Sequence, residues 1–550
     1  MRRIFLFAAC LVPLVASGQW SGNPGNALTL FEGTDIHDVN VLTDPGGYYI
    51  TWIHRFPGGP DQRLVQRYNL DGVAQWGDLT RRISTSGNIW LPYGSRRNML
   101  TGNDGSFVLC DNRVDMYDYT YQPVLSKTDS AGRKLWSTYR NLTRPGKNEM
   151  SVEICESSKS HFFILGGWAE TYSAPYDYTL TRTSPTGEIE WSLSDVLKSD
   201  SRHRYYAGAV FPTPDDGCLV PYFESPDGFN YRSLRMRKFT AGGTLAWKRD
   251  EPVFEGSRWG MYEIGMVGGP GGEIWFLLGQ GYGEVVILKY HPDGYPLWDI
   301  EGVRVSANPV FGISPYLSGF YPDGSIGVIY SETPGDSLII MGQRISPDGE
   351  RLWGDHGKKL RGELYSHTQY TRAGILGDTT ILIDQITRRP DIHDISISIS
   401  AFDGDGNEVW NQPEICHSKP QGSLVLMSIS APAGNQRIFT WLEMDSTGGT
   451  GRIRAQNVRA DGTFGTKTSR IGGVNVWLAS EIRYDAISRM IWNPNPDKPL
   501  RYILYTSSGE SVASGIIRQS EILPPVAPGI YLISATDGKV VYSNRLAILN

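Results

Sequence analysis

The residues best suited to chemistry in this chain are aromatic rings set beside arginine and aspartate in short polar stretches. Arg113, Asp115, Tyr117, Asp118 and Tyr119 form one such group, Trp168, Tyr172 and Tyr176 a second, and Phe229 with Tyr231 a third. Trp90, Tyr93, Arg96 and Arg97 repeat the composition, as do Arg204, Tyr205 and Tyr206, then Arg258, Trp259 and Tyr262; Tyr316, His367 and Tyr370 lie further along. Flat rings stack on sugar faces and on planar cations, while guanidinium and carboxylate groups give directional hydrogen bonds, so these stretches suit a glycan or a clamped peptide. Acid–base catalysis would need two carboxylates, or a histidine and a carboxylate, converging on one bond, and Asp38, Glu149, His203, Glu263 and His367 are the candidates. Asp403-Gly404-Asp405-Gly406-Asn407 has the outline of a calcium loop but lacks the glycine at its sixth place. There is no P-loop, no GxSxG and no HExxH, which leaves nucleotide binding, serine hydrolysis and zincin chemistry without support. Cys110, Cys155, Cys218 and Cys416 stand singly in apolar runs with no CxxC, and are expected to be unpaired thiols. Neither a cofactor nor a metal is expected.

The scaffold that must position these residues is legible from composition. Sixty-three Gly and 33 Pro among 550 residues are too many breakers for a helical core, while 40% hydrophobic residues suffice for a large one, so the chain is expected to be mostly β structure. A net charge of −6, from 52 basic and 58 acidic residues, gives no footprint for a polyanion, and nucleic acid is not expected as a partner. Met1-Arg2-Arg3 followed by the apolar run Ile4 to Ala16 has the two parts of a secretory signal, with small residues Ala16-Ser17-Gly18 before a cleavage point at Gln19. Residues 1–18 are therefore expected to be a signal peptide. The run is too short to span a membrane and no other stretch approaches that length, so the mature chain is expected to be secreted or held at the outer-membrane surface, without a transmembrane segment.

One pattern recurs eight times at a period of 51 to 60 residues: a strand, a tight turn ending in Gly, then Trp four residues on. The pairs are Gly72/Trp76, Gly132/Trp136, Gly187/Trp191, Gly243/Trp247, Gly294/Trp298, Gly349/Trp353 and Gly406/Trp410, with Gly462 followed by Phe464 near the Trp place. A second turn alternates with the first, around Gly47, Gly105, Gly217, Gly272 and Gly324, with weaker copies at His161, Asp378 and Asn435. Each period thus holds a four-stranded antiparallel meander, and eight such units fit a β-propeller over residues 30–470, with seven blades as the alternative. The tryptophans 76, 136, 191, 247, 298, 353 and 410 are expected to pack each outer strand on its neighbouring blade, as structure rather than as sites. Turns alternate ends in a meander, so both tight turns share one face and the variable loops share the other. Binding residues sit on such loops over a rigid scaffold. The expected ligand residues are Trp90, Tyr93, Arg96, Tyr117, Tyr172, Tyr206, Trp259, Tyr262, Tyr316 and Tyr370.

Segments such as GGYYITWIHRFPGGPDQRLVQRYNLDGVAQW and DSLIIMGQRISPDGERLW resemble the repeats of large exported bacterial β-propeller proteins, which implies architecture and not chemistry. After a linker at 471–490, residues 491–550 change character, with Asn493-Pro494-Asn495-Pro496, a strand ending at Ser508-Gly509, then Pro528-Gly529-Ile530-Tyr531 and a hairpin through Asp537-Gly538. This stretch resembles the C-terminal sorting domain of type IX secretion substrates, a small β-sandwich. The resemblance implies the type IX machinery as a partner and export across the outer membrane. It departs in its last strand, which offers only Arg545 where several basic residues are usual.

Two enzyme families share parts of the repeat. Sialidase Asp-boxes place Asp two before Gly and an aromatic three after it, whereas the Gly-to-Trp step here is four, and that reading fails. The step does resemble quinoprotein dehydrogenase repeats, as at Thr186-Gly187 to Trp191, but those enzymes often carry a vicinal cysteine pair that this chain lacks. The sequence therefore favours a binding or adhesion scaffold for a glycan or protein ligand on the loop-rich face. The alternative is a glycan-active or quinoprotein-like enzyme with its site in the central funnel.

Overall fold

The computed structural model describes residues 20–55, 61–77, 81–82, 98–114, 121–136, 140–141, 149–168, 177–200, 203–225, 231, 233–248, 253–256, 261–280, 283–310, 316–332, 337–365, 371–389, 394–417, 423–444, 450–466, 483–485, 490–493, 499–506, 511–523, 525–526, 529–536 and 541–548. The chain divides into two compact units, Met1–Thr466 and Lys467–Asn550. Apart from a 3-10 turn at Pro24–Asn26, every described element is a strand. No described helix is long and apolar enough to cross a membrane.

In the first unit the described strands form eight antiparallel sheets that follow one another along the chain. Sheet 1 comprises Ile36–Asp44, Gly47–Arg55, Asp61–Asn69 and Arg81–Arg82 in that order. Sheets 2 to 7 lie in residues 99–141, 149–197, 204–255, 261–304, 316–365 and 371–417. Sheet 8 is built from Ser423–Ile429, Gln436–Met444 and Gly451–Arg459, and its fourth strand, Leu28–Gly33, comes from the start of the chain and pairs with Gly451–Arg459. In sheet 4 the first strand is broken into Arg204–Tyr206 and Phe211–Pro212, both paired with Cys218–Ser225.

The sheets are buried on both faces, which is why their second strands read as apolar runs: Gly47–Arg55 is buried over its first eight residues. Eight hydrophobic clusters each join two consecutive sheets. Tyr49, Val65 and Trp76 meet Met99, Phe107 and Leu109 between sheets 1 and 2, and the series runs on through sheets 2 to 8. The eighth cluster sets Ile438, Leu442 and Ile453 of sheet 8 against Tyr48, Ile50 and Trp52 of sheet 1. The last sheet thus packs on the first, and the unit is an all-β, propeller-like ring.

The tight turns explain the repeat. At each of the eight repeat glycines, from Gly72 to Gly462, φ is positive, for example +82° at Gly72 and +92° at Gly349, where a side chain would be strained. In the first seven of these turns the residue three before the glycine caps the turn. Asp129 Oδ1 accepts from the Ala131 and Arg133 amides, Ser346 Oγ from the Asp348 and Glu350 amides, and Asn69 Oδ1 from the Asp71 and Val73 amides.

Six of the seven repeat tryptophans reach the next sheet's turn. The indole Nε1 donates to the carbonyl two residues before the next glycine: Trp76 to Ser130, Trp191 to Ala241, Trp298 to Pro347, Trp353 to Gly404 and Trp410 to Ala460, at 2.8–3.0 Å. Trp247 packs at Gly294 and Trp136 on Phe162. The eighth position corrects the sequence reading. Phe464 does not fill it; it packs inside the cluster between sheets 7 and 8. Trp20 does, donating from Nε1 to Leu70 O at 2.9 Å and lying on Gly72, where an added Cβ would sit 2.7 Å from its Cδ2. The four-residue step from Gly462 falls on Thr466, whose amide donates to Trp20 O at 3.1 Å, so the start of the chain brings its own Trp to the vacant place.

The second unit holds a three-stranded sheet of Arg483–Asp485, Met490–Trp492 and Ser520–Ile522 and a four-stranded sheet in the order Ser511–Ile517, Leu500–Thr506, Gly529–Thr536, Val541–Ile548. Ile491 and Leu523 share one core with Leu500, Tyr502, Leu504 and Ile533. Arg483–Asp485 lies in the stretch read as linker.

Candidate functional site

The tight-turn end of the ring is occupied by structural bonds. Five residues before each repeat glycine the third strand of sheets 1 to 6 carries a basic side chain: Arg67, Lys127, Arg182, Lys238, Lys289 and Arg344. Arg67 Nε meets Asp44 at 2.7 Å, Lys127 meets Asp104 at 2.9 Å, and Lys238 lies between Asp215 at 3.1 Å and Asp293 of the next sheet at 2.8 Å. These cations tie the two turns of one sheet, or of neighbours, and have no ligand to seek. The calcium-like segment belongs to the same class. Asp403 Oδ1 accepts from the Asp405 and Asn407 amides at 3.0 and 2.8 Å, and the Asn407 amide bond above all holds its carboxyl below the usual range. Among the described residues no group of three or more His, Cys, Asp or Glu is placed to hold a metal ion. The four cysteines are free thiols; Cys110 and Cys218 are buried, and burial pushes the Cys218 thiol well up.

Of the ten expected ligand residues, Trp90, Tyr93, Arg96, Tyr117, Tyr172, Trp259 and Tyr370 lie outside the described residues. Tyr262 falls in the strand Met261–Gly268, paired with Gly279. Tyr316 opens the first strand of sheet 6; its hydroxyl is buried with no hydrogen-bond partner among the described residues, and burial, then Asp384, push its phenol well up.

Tyr206 is placed in the open, 37% exposed, at the loop end of sheet 4. Its strand pairs Arg204 with Ser225, Tyr205 with Glu224 and Tyr206 with Phe223. Alternation therefore sends Arg204 and Tyr206 to one side of the sheet and Tyr205 to the other. On the first side, facing sheet 5, Tyr206 lies 6.2 Å from Phe223 and 6.1 Å from Tyr231, and Phe223 and Tyr231 are 6.4 Å apart. On the other side, facing sheet 3, Tyr205 meets Tyr222 edge-on at 5.8 Å, and the Arg237 guanidinium stands 5.4 Å over the Tyr222 ring. Arg235 Nε donates to Glu224 Oε2 at 2.5 Å. Burial raises the Tyr205, Tyr222 and Tyr231 phenols, so all three stay protonated hydrogen-bond donors at neutral pH.

The carboxylate candidates fall at the loop ends of different sheets. Asp38, in left-handed backbone at φ 51°, accepts from the buried Arg63 at 2.7 Å, and Arg63 Nε reaches Asp111 of sheet 2 at 3.4 Å. His203 Nδ1 lies 3.3 Å from Asp200 on an exposed stretch. Glu149 and Glu263 are placed by backbone only, in Glu149–Glu156 and Met261–Gly268, and His367 lies outside the described residues. Sequence reasoning missed Arg63, Phe223, Glu224, Arg235 and Arg237. Their strands carry no turn or spacing signal, and only pairing register reveals them.

No family model matches the chain, and no curated protein matches it. Similar solved structures include a puromycin hydrolase mutant complexed with PGG, at 12% identity over 78% of this chain and 61% of that one, with a TM-score of 0.43. An ulvan lyase of a new polysaccharide lyase family, with a bound oligosaccharide, is 10% identical over 80% of this chain and 98% of its own, with a TM-score of 0.40. A Dyadobacter fermentans protein of unknown function is 10% identical over 60% of this chain and 97% of its own, with a TM-score of 0.33. This chain spans 61% of the length of the hydrolase. None of these likenesses lends this chain a residue role.

Proposed function

We propose that the chain is an exported eight-bladed β-propeller followed by a C-terminal β-sandwich that acts as a type IX sorting address, and that at the cell surface it is a binding or adhesion scaffold for a glycan or protein ligand. Eight inter-sheet clusters, seven tryptophan-to-turn contacts and the return of Leu28–Gly33 to the last sheet support eight blades. The Met1-Arg2-Arg3 start with its apolar run supports export, and the Asn-Pro opening of residues 491–550 with its PGIYL segment supports the sorting address.

The observation that carries the binding role is the exposed Tyr206 on a floor of Phe223 and Tyr231 at the loop end of sheet 4. A large ring packed against two others is restrained, so it loses little conformational entropy when a ligand docks on it. At the tight-turn end the strand cations are bonded to turn carboxylates or carbonyls, whereas this end presents rings, guanidinium and carboxylate groups together.

The test is a glycan array and pull-down with the mature chain, followed by Tyr206→Ala. Loss of an aromatic anchor costs about 2 kcal/mol or more, or roughly thirtyfold in affinity, and little stability at a half-exposed position. Ligands that bind Tyr206→Ala as tightly as the parent chain would move the site elsewhere.

A further inference from the structure

We infer that the mouth of the groove between sheets 4 and 5 is a subsite for an acidic pyranose, a sugar ring bearing a carboxylate or sulfate. This deepens the binding role above and rests on it. Three observations converge. The first is the floor. Phe223 is 1% exposed and packs against both Tyr206 and Tyr231, whose rings tilt by 54° to one another, so the exposed Tyr206 ring stands on a filled apolar base. A pyranose stacks its axial C–H face on a single exposed ring and takes polar groups at that ring's rim.

The second is charge. Arg204 is exposed, shares the Tyr206 side of the sheet, and has no carboxylate within ion-pair distance among the described residues. Its neighbours are differently disposed, with Arg235 bound to Glu224 and Arg237 stacked on Tyr222, both on the opposite side. On the facing sheet, Glu284 projects to the same groove but is taken by Arg304 at 3.0 Å. A guanidinium left over at the rim of an aromatic floor is the group that reads a planar carboxylate or a sulfate by paired hydrogen bonds.

The third is placement. Arg204 stands two residues before Tyr206 on the same side of the strand, Tyr206 lies 6.1 Å from Tyr231, and the Arg204 charge offsets part of the upward push that burial gives the Tyr231 phenol. A sugar stacked on Tyr206 with its acid toward Arg204 would also have the Tyr231 hydroxyl as a donor to a ring hydroxyl. Ring, cation and phenol then read face, acid and stereochemistry of one residue.

The experiment measures binding of the mature full-length chain to oligogalacturonate, to its methyl ester and to a sulfated oligosaccharide, with an oligoglutamate peptide as the acidic non-sugar control. The acid form should bind about tenfold more tightly than the ester, and Arg204→Gln should erase that difference, bringing the two forms to equal affinity. Arg204→Lys should restore part of it, and the preference should shrink as salt screens the exposed charge. Comparison of the carboxylated and sulfated sugars identifies the acid. Equal affinity for acid and ester, both lost in Tyr206→Ala, would overturn the acidic subsite and leave the glycan-binding role standing. Binding of oligoglutamate as tight as that of the sugars would overturn the pyranose assignment. No binding of any sugar, or binding indifferent to Tyr206→Ala, would overturn both. Unchanged melting temperature of each variant shows that a loss is local.

Discussion

Replacing Trp20 by alanine tests whether the ring is closed by the start of the chain. Trp20 is 3% exposed, packs edge-on to Tyr48 at 6.4 Å, lies on Gly72, and bonds through its indole to Leu70 O and through its backbone to Asp71 O and Thr466 N. Alanine keeps the backbone bonds and removes the ring. Deleting a buried tryptophan costs about 3–5 kcal/mol through lost burial and the cavity left behind. The indole bond adds little, because Leu70 O also accepts from Gln436 Nε2 and would stay partnered. Trp353→Ala, which empties the same position between sheets 6 and 7, should cost a similar amount. The two should part in a second assay. Trp20 anchors the strand that pairs with Gly451–Arg459, so its loss should also expose residues 20–33 to limited proteolysis, whereas Trp353→Ala should leave that segment protected. Denaturant midpoints and N-terminal sequencing of early fragments measure both. A loss under about 1 kcal/mol at Trp20, with unchanged proteolysis, would refute closure through this residue.

Stability should fall at alkaline pH. Burial pushes the Tyr48 and Tyr321 phenols from 10.0 up to about 12, and raises Tyr49, Tyr68 and Tyr330 further. The folded chain keeps protons that the unfolded chain releases above pH 10, so this stability is complete below pH 10 and is lost as pH rises toward 12, at roughly 1.4 kcal/mol per pH unit for each tyrosine. Arg437, whose guanidinium burial lowers to about 9, works in the opposite direction but is one group against several. Melting temperature against pH, with tyrosinate absorbance, checks the sum; native-state ionisation near pH 10 without loss of stability would contradict it. Deleting residues 467–550 should leave a folded first unit that stays in the periplasm, since the eight inter-sheet clusters lie within Met1–Thr466. Unimpaired surface display would rule out the sorting address.

The parts of this fold that were legible in the sequence are those where local physics leaves no choice. A glycine at positive φ recurs in all eight copies, and a capping Asn, Asp, Ser, Thr or His three residues earlier with an indole four residues later recurs in the first seven. Trp20 escaped because it belongs to no period. It is separated in sequence from the turn whose vacancy it fills, and the only hint is an eighth copy ending in Phe464 without a tryptophan of its own. A ring closed by a distant strand hides its last contact from any scan for repeats.

The candidate site shows the other limit. Composition placed Arg204, Tyr205 and Tyr206 in one group, yet period-two alternation divides them, so that Tyr205 serves the groove toward sheet 3 and Tyr206 the groove toward sheet 5. Register also decides which charges are free. Glu224 sits opposite Tyr205 and neutralises Arg235 on that side, leaving Arg204 with the aromatic floor on the other. Three residues of one composition group thus divide between two surfaces of different chemistry, one holding the Glu224–Arg235 pair and one a cation beside aromatic rings. The strand break after Tyr206, before Phe211–Pro212 resumes the pairing, lets this short segment sit at the loop end while the sheet beneath stays packed on both neighbours. One residue's parity on a three-residue strand decides which surface each side chain joins, and a single-residue register shift would exchange the two surfaces.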